Sequence, residues 1–121
     1  ANVLDLLSKS KPAALIVLPG PMIFALARDF VGRAERLSIP VIYPFEEMAE
    51  AGGLMSYASN LLDSYRRAAR YVDRVLRGAT PSDLPIEQPT RLWLTINLRT
   101  AKGQGVRIPP AILSRADRII E

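Results

Sequence analysis

The stretch Ala13-Ala-Leu-Ile-Val-Leu18 constrains the fold most. It is short, continuous and apolar, the signature of a parallel strand covered on both faces, and far shorter than the ~20 residues of a membrane-spanning helix. Pro19-Gly20-Pro21 breaks it. From Met22 to Leu37 the apolar positions Ile23, Leu26, Ala27, Phe30, Ala34 and Leu37 recur at helical spacing. Ser38 to Pro40 ends that helix, Val41-Ile42-Tyr43 reads as the next strand, and a short acidic helix from Phe45 to Ala51 stops at Gly52-Gly53. Strand-like and helix-like segments in alternation predict an α/β fold.

The pattern continues with an extended stretch, Leu54 to Ala58, and then the clearest helix, from about Asn60 to Arg77. Ser59 or Asn60 can cap it and Gly78 is placed to end it. Leu62, Tyr65, Ala69, Val72 and Leu76 form one apolar stripe, while the pairs Asp63–Arg67 and Asp73–Arg77 add about 0.3 kcal/mol each. Ala79 to Pro89 holds three prolines and reads as a connection. Arg91 to Leu98 alternates as a strand with one buried face, Leu92, Leu94, Ile96 and Leu98 inward. Thr100 to Gln104 reads as a helical turn, and Ile108-Pro109-Pro110 leads into a last helix from Ala111 to Ile120. Three or four strands make a thin sheet, and long proline-rich connections suit crossovers between lobes, so the chain reads as the second part of something larger.

Composition narrows the chemistry. With no cysteine and no histidine there are no disulfides, no thiol nucleophile and none of the commonest general bases and metal ligands. No phosphate-cradling glycine motif and no G-x-S-x-G occurs, and Ser38, Ser56 and Ser59 lack a histidine to activate them. No enzyme, metal or cofactor is expected. The net charge of +4 invites a nucleic-acid reading, but the arginines are spread from Arg28 to Arg118 among acids. The row Arg66, Arg67, Arg70, Arg74 and Arg77 opposite the stripe reads mainly as a solvated face, so no nucleic-acid partner is expected. Ala1 to Lys11 carries no signal-peptide h-region.

Three segments are candidates for binding. The turn at Gly20 can present backbone N–H groups to an anion, or is a plain strand-to-helix loop. Glu46 shares a helix face with Glu50 and, with Glu47, forms either a carboxylate pair or a solvated surface. The stretch from Gly53 to Asn60 sets Ser56, Tyr57, Ser59 and Asn60 between a double glycine and a helix start, reading equally as ligand contacts or as capping and loop packing. Because ligands of open α/β sheets sit outside the carboxyl ends of the strands, Pro19–Pro21, Tyr43–Glu46 and this stretch can converge there.

The blocks Glu50-Ala-Gly-Gly-Leu-Met-Ser-Tyr57, Asn60-Leu61, Tyr65-Arg-Arg-Ala-Ala69, Tyr71-Val-Asp73, Leu76-Arg-Gly-Ala79, Asp83-Leu-Pro-Ile-Glu-Gln-Pro-Thr90, Ile96-Asn-Leu98, Thr100-Ala-Lys102 and Ile108-Pro-Pro110 resemble, in order, ABC-transporter substrate-binding proteins of the tryptophan- and tyrosine-type importer group. The resemblance implies a type I periplasmic-binding-protein-like fold, three-layer with a parallel sheet, in which this chain is the C-terminal portion: most of lobe 2 plus a returning lobe 1 helix. Lobe 2 is expected over about 13–53 and 99–121, the return to lobe 1 over 59–90, and hinge crossings at 54–58 and 94–98, with Tyr57, Ala58, Ile96 and Asn97 as hinge residues. One departure is Ala58-Ser59, where members often carry glycine-proline.

The function so implied is non-catalytic capture of a small molecule, an amino acid or related compound, for delivery to an ABC permease and its ATPase subunit. The location is periplasmic or extracytoplasmic, peripheral to the membrane. Tyr43 or Tyr57 would stack on the ligand, Ser56 and Asn60 would hydrogen-bond its polar end, Glu46 would pair with an amino group, and Gly20 would line the site. A small α/β signalling module is the alternative. A truncated two-lobe protein exposes apolar surface, so self-association is expected.

Overall fold

A computed structural model describes residues 3–10, 12–89 and 91–121. Thr90, which closes the expected 59–90 segment, lies outside the described residues. The chain divides into two units, Ala1–Ala58 with Trp93–Glu121, and Ser59–Leu92.

The first unit is built on a five-stranded sheet in the order β1-β2-β3-β4-β5. Its strands are β1 (Leu15–Ile16), β2 (Val41–Tyr43), β3 (Met55–Ala58), β4 (Trp93–Asn97) and β5 (Arg118–Ile120). All neighbours pair parallel except β3 with β4, which are antiparallel. The mostly parallel α/β architecture predicted from the strand–helix alternation is what the chain adopts. Helix α1 (Val3–Ser10) precedes β1, α2 (Pro21–Ala25) and α3 (Ala27–Arg36) link β1 to β2, and α4 (Glu46–Glu50) links β2 to β3. The expected helix from Met22 to Leu37 is thus two helices, broken at Leu26, whose ψ of 16° leaves the helical region.

The core follows from the alternation of side chains across the strands. Leu15, Val17, Val41 and Tyr43 turn toward one face, where they meet Val31 and Ala34 of α3 and Met48 of α4, with Phe30 and Leu7 at the margin. Burying side chains such as Val31, Val41 and Met48 stabilises the fold by about 1.5–3 kcal/mol each. The expectation that both faces of the first strand are covered does not hold: Ile16 is 70% and Leu18 75% exposed. Their Cβ atoms leave the sheet on the side opposite the α3–α4 core.

Two further expectations are corrected. The strand predicted to bury one face buries both at its carboxyl end: Thr95, Ile96 and Asn97 are all buried, while Leu92 is exposed. The cause is α4, which packs on the Thr95–Asn97 face, the Asn97 amide donating to the Ala49 carbonyl at 3.1 Å. The other correction concerns the last helix. Only α7 (Pro110–Leu113) is helical, and Arg118–Ile120 is a fifth strand beside β4. Asp117 forces this outcome, because its N–H donates to the Leu94 carbonyl and its carboxylate accepts from the Leu94 N–H, both at 2.9 Å. The β-branched pair Ile119-Ile120 then extends the ladder. Between β4 and α7, α6 (Leu98–Gly103) starts on an Asn97 cap, whose Oδ1 accepts from the Thr100 N–H.

In the second unit α5 (Leu61–Leu76) starts at Asn60, whose side chain accepts from the Asp63 N–H at 3.1 Å. It ends at Gly78, which takes φ +96°, a left-handed conformation glycine adopts without strain. Asp63 pairs with Arg66 at 2.9 Å rather than with Arg67, and Asp73 pairs with Arg77 as expected. After a 3-10 turn at Pro81–Asp83, the Tyr71 hydroxyl donates to the Pro85 carbonyl at 2.6 Å and folds the proline-rich connection back along the helix. No residue of α5 is buried; Leu62, Tyr65, Val72 and Leu76 of the apolar stripe lie open.

Candidate functional site

Because β1, β2 and β3 run parallel, their carboxyl ends share one edge of the sheet. The antiparallel β4 begins at that same edge, with Trp93 opposite Ala58, and β5 begins there with Arg118 beside Thr95. The segments predicted to converge, Pro19–Pro21 and Tyr43–Glu46, do form this rim, as does Tyr57-Ala58 at the end of β3. Phe24 of α2 and Phe45 ahead of α4 meet edge to face, ring centroids 5.2 Å apart. An open groove of about 660 Å³ runs beside them, walled by Phe24, Leu26, Phe45 and Met48 and edged by Arg28, Asp29 and Glu47.

The predicted site residues divide by strand face. Register places Tyr43 beside Ser56, Ser56 beside Thr95, and Thr95 beside Arg118, so these four side chains form a row on the α4 side of the sheet. Tyr57 leaves the opposite face and is 52% exposed. Tyr43 is 2% exposed and packs edge-on against Phe30, so it is a core residue and presents no stacking surface at the rim. Its hydroxyl is pushed up to about 12, first by burial and then by the nearby Glu35 carboxylate. Ser56 is 1% exposed, and its Oγ has no hydrogen-bond partner among the described residues. Gly20 precedes α2 in extended backbone, with open space where a side chain would stand, so no close approach requires glycine there.

Glu46 is at the rim but its charge is engaged. Its Oε1 accepts from Arg118 Nη1 at 2.8 Å and from the Thr95 hydroxyl at 3.5 Å, and the same Nη1 reaches Glu50. The two carboxylates, Glu46 foremost, hold the Arg118 guanidinium above its usual pKa. Asn60 belongs to the second unit, where its Oδ1 is occupied by the α5 cap. Of the expected hinge residues, Ala58 sits at the boundary between the units and Tyr57 next to it, whereas Ile96 and Asn97 lie within the first unit at the far end of β4. Sequence reasoning missed Phe24, Phe45 and Arg118. The signal for Arg118 was present: two glutamates on one helix face call for a cation, and an arginine opens the Ile119-Ile120 strand.

The sequence model of the ABC transporter substrate-binding proteins matches residues 5–120, nearly the whole chain. The chain belongs to that family. Solved structures share the fold. A conserved domain protein from Vibrio cholerae superposes with a TM-score of 0.88 at 22% identity, over 96% of this chain and 39% of the other. An ABC domain in complex with L-Trp from Streptococcus pneumoniae gives 0.88 at 26%, over 97% and 39%. A ligand-free, open substrate-binding protein with adhesive properties from Clostridium difficile gives 0.63 at 19%, over 98% and 39%. No curated protein matches. The chain therefore spans about two-fifths of the length of the solved structures it resembles.

Proposed function

We propose that this chain is the part of a solute receptor that supplies most of one lobe and a helix returning to the other, and that the receptor hands a small molecule to an ABC import permease driven by its ATPase subunit. The observation that carries this reading is the family match over residues 5–120. The first unit corresponds to lobe 2 and the second to the return into lobe 1, with the connections at Ala58-Ser59 and Leu92-Trp93 serving as hinge crossings. A receptor of this kind is non-catalytic and works outside the cytoplasm.

The rim supports an aromatic solute. Met22, Phe24 and Tyr57 lie exposed at the carboxyl ends of the strands or beside them, while the Glu46 carboxylate is already paired with Arg118. Such a rim favours the flat apolar body of a ligand over its charged end. An aromatic amino acid fits, and the Streptococcus pneumoniae domain, 26% identical, holds L-Trp. In the full-length protein, Tyr57→Ala lowers affinity for L-tryptophan at least about tenfold, a loss of about 1.4 kcal/mol. Calorimetric titration measures it, and unchanged affinity would remove Tyr57 from the site.

A further inference from the structure

Helix α4 carries the rim segment Pro44–Phe45 at its amino end, yet it has only five residues and no side-chain cap. A helix this short does not persist without tertiary support. Met48 and Ala49 supply part of it by burial, and Asn97 anchors the Ala49 carbonyl toward the carboxyl end. At the amino end Phe45 packs on the core, and Glu46 adds polar ties to Arg118 Nη1 at 2.8 Å and to the Thr95 hydroxyl at 3.5 Å. Arg118 also holds Glu50 one turn further on. One guanidinium on the outermost strand thus grips two of the helix's three glutamates, Glu46 and Glu50, and through Glu46 it fixes the residue next to Phe45, the partner of Phe24.

We infer that Arg118 is a positioning residue for the solute site: it does not touch the ligand, but it sets where the Phe24–Phe45 wall stands and keeps the Glu46 carboxylate from recruiting a cationic ligand. The inference rests on the reading of the rim as the solute-facing edge. Glu46 and Glu50 sit four apart on one helix face, so removing the arginine leaves two like charges there and loosens the amino end of the helix. Lysine can bridge the same pair as a point charge, without the fixed fork of arginine.

Amide hydrogen exchange on the full-length protein tests this without any ligand. In Arg118→Gln, peptides covering residues 43–50 exchange about fivefold faster while those covering 31–39 are unchanged, and Arg118→Lys restores most of the protection. Acceleration spread evenly over both segments, or none in 43–50, overturns the proposal. The second arm titrates L-tryptophan: Arg118→Gln binds about fivefold more weakly than the parent at an unchanged melting temperature. Equal affinity in parent and variant overturns the link to the site. A parent protein that ignores L-tryptophan contradicts the aromatic-solute reading instead, while the exchange result still decides whether Arg118 positions the helix.

Discussion

The Tyr43 hydroxyl is buried near Glu35 and does not ionise until about pH 12, whereas in the unfolded chain it ionises near its ordinary value of 10. Below pH 10 both states keep the proton and the burial stabilises fully. Between 10 and 12 the unfolded state loses protons that the folded state retains, so stability falls by roughly 2–3 kcal/mol. Denaturant melts at pH 9 and pH 12 should show that loss in the parent and a smaller one in Tyr43→Phe. Gly53 offers a steric test. A Cβ there would stand 2.5 Å from the Tyr43 ring and 2.7 Å from the Met48 carbonyl. Because the second neighbour is backbone, Gly53→Ala should cost about 1–3 kcal/mol or more in the same melts. Ser56 is opposite in sign. Its buried hydroxyl lacks a partner, so Ser56→Ala should leave stability unchanged or raise it by about 1 kcal/mol.

At the scale of elements, the local signals were the legible ones. The strand at Val41–Tyr43, the acidic helix after it and α5 with its Asn60 cap and Gly78 stop could all be read, because each is specified within a few residues. Asn60→Ala should accordingly lower the melting stability by about 1 kcal/mol, through α5 alone. What could not be read depends on partners far along the chain. Ile112, Leu113, Ala116 and Ile119 have helical spacing, but the Asp117–Leu94 ladder recruits the segment ending at Ile120 into the sheet. Ser56 looked like a site residue because polar groups beside a double glycine suit a cleft, and Tyr43 because it ends a strand. The register that turns both under α4 is set by β2, β3 and β4 together. Tyr57, one residue on, faces the other way and stays exposed, so period-two alternation separates candidates that sequence proximity had grouped.

Over the whole molecule, apolar surface left open is the dominant feature. Ile16, Leu18 and Met22 in one unit, and Leu62, Tyr65, Val72 and Leu76 in the other, are each more than half exposed. Patches of this kind are covered in a working protein, and the chain spans 39% of the length of the structures it matches. Expressed alone, these 121 residues should self-associate, with light scattering showing a mass that climbs with concentration. The most direct test of the receptor reading is a thermal-shift screen of the full-length protein against aromatic and other amino acids, small amides, organic acids and sugars. A ligand at about 100 times its Kd stabilises by about 2.7 kcal/mol and raises Tm by several degrees. The account predicts such a rise with L-tryptophan or a close aromatic relative; a flat response across every class would contradict it.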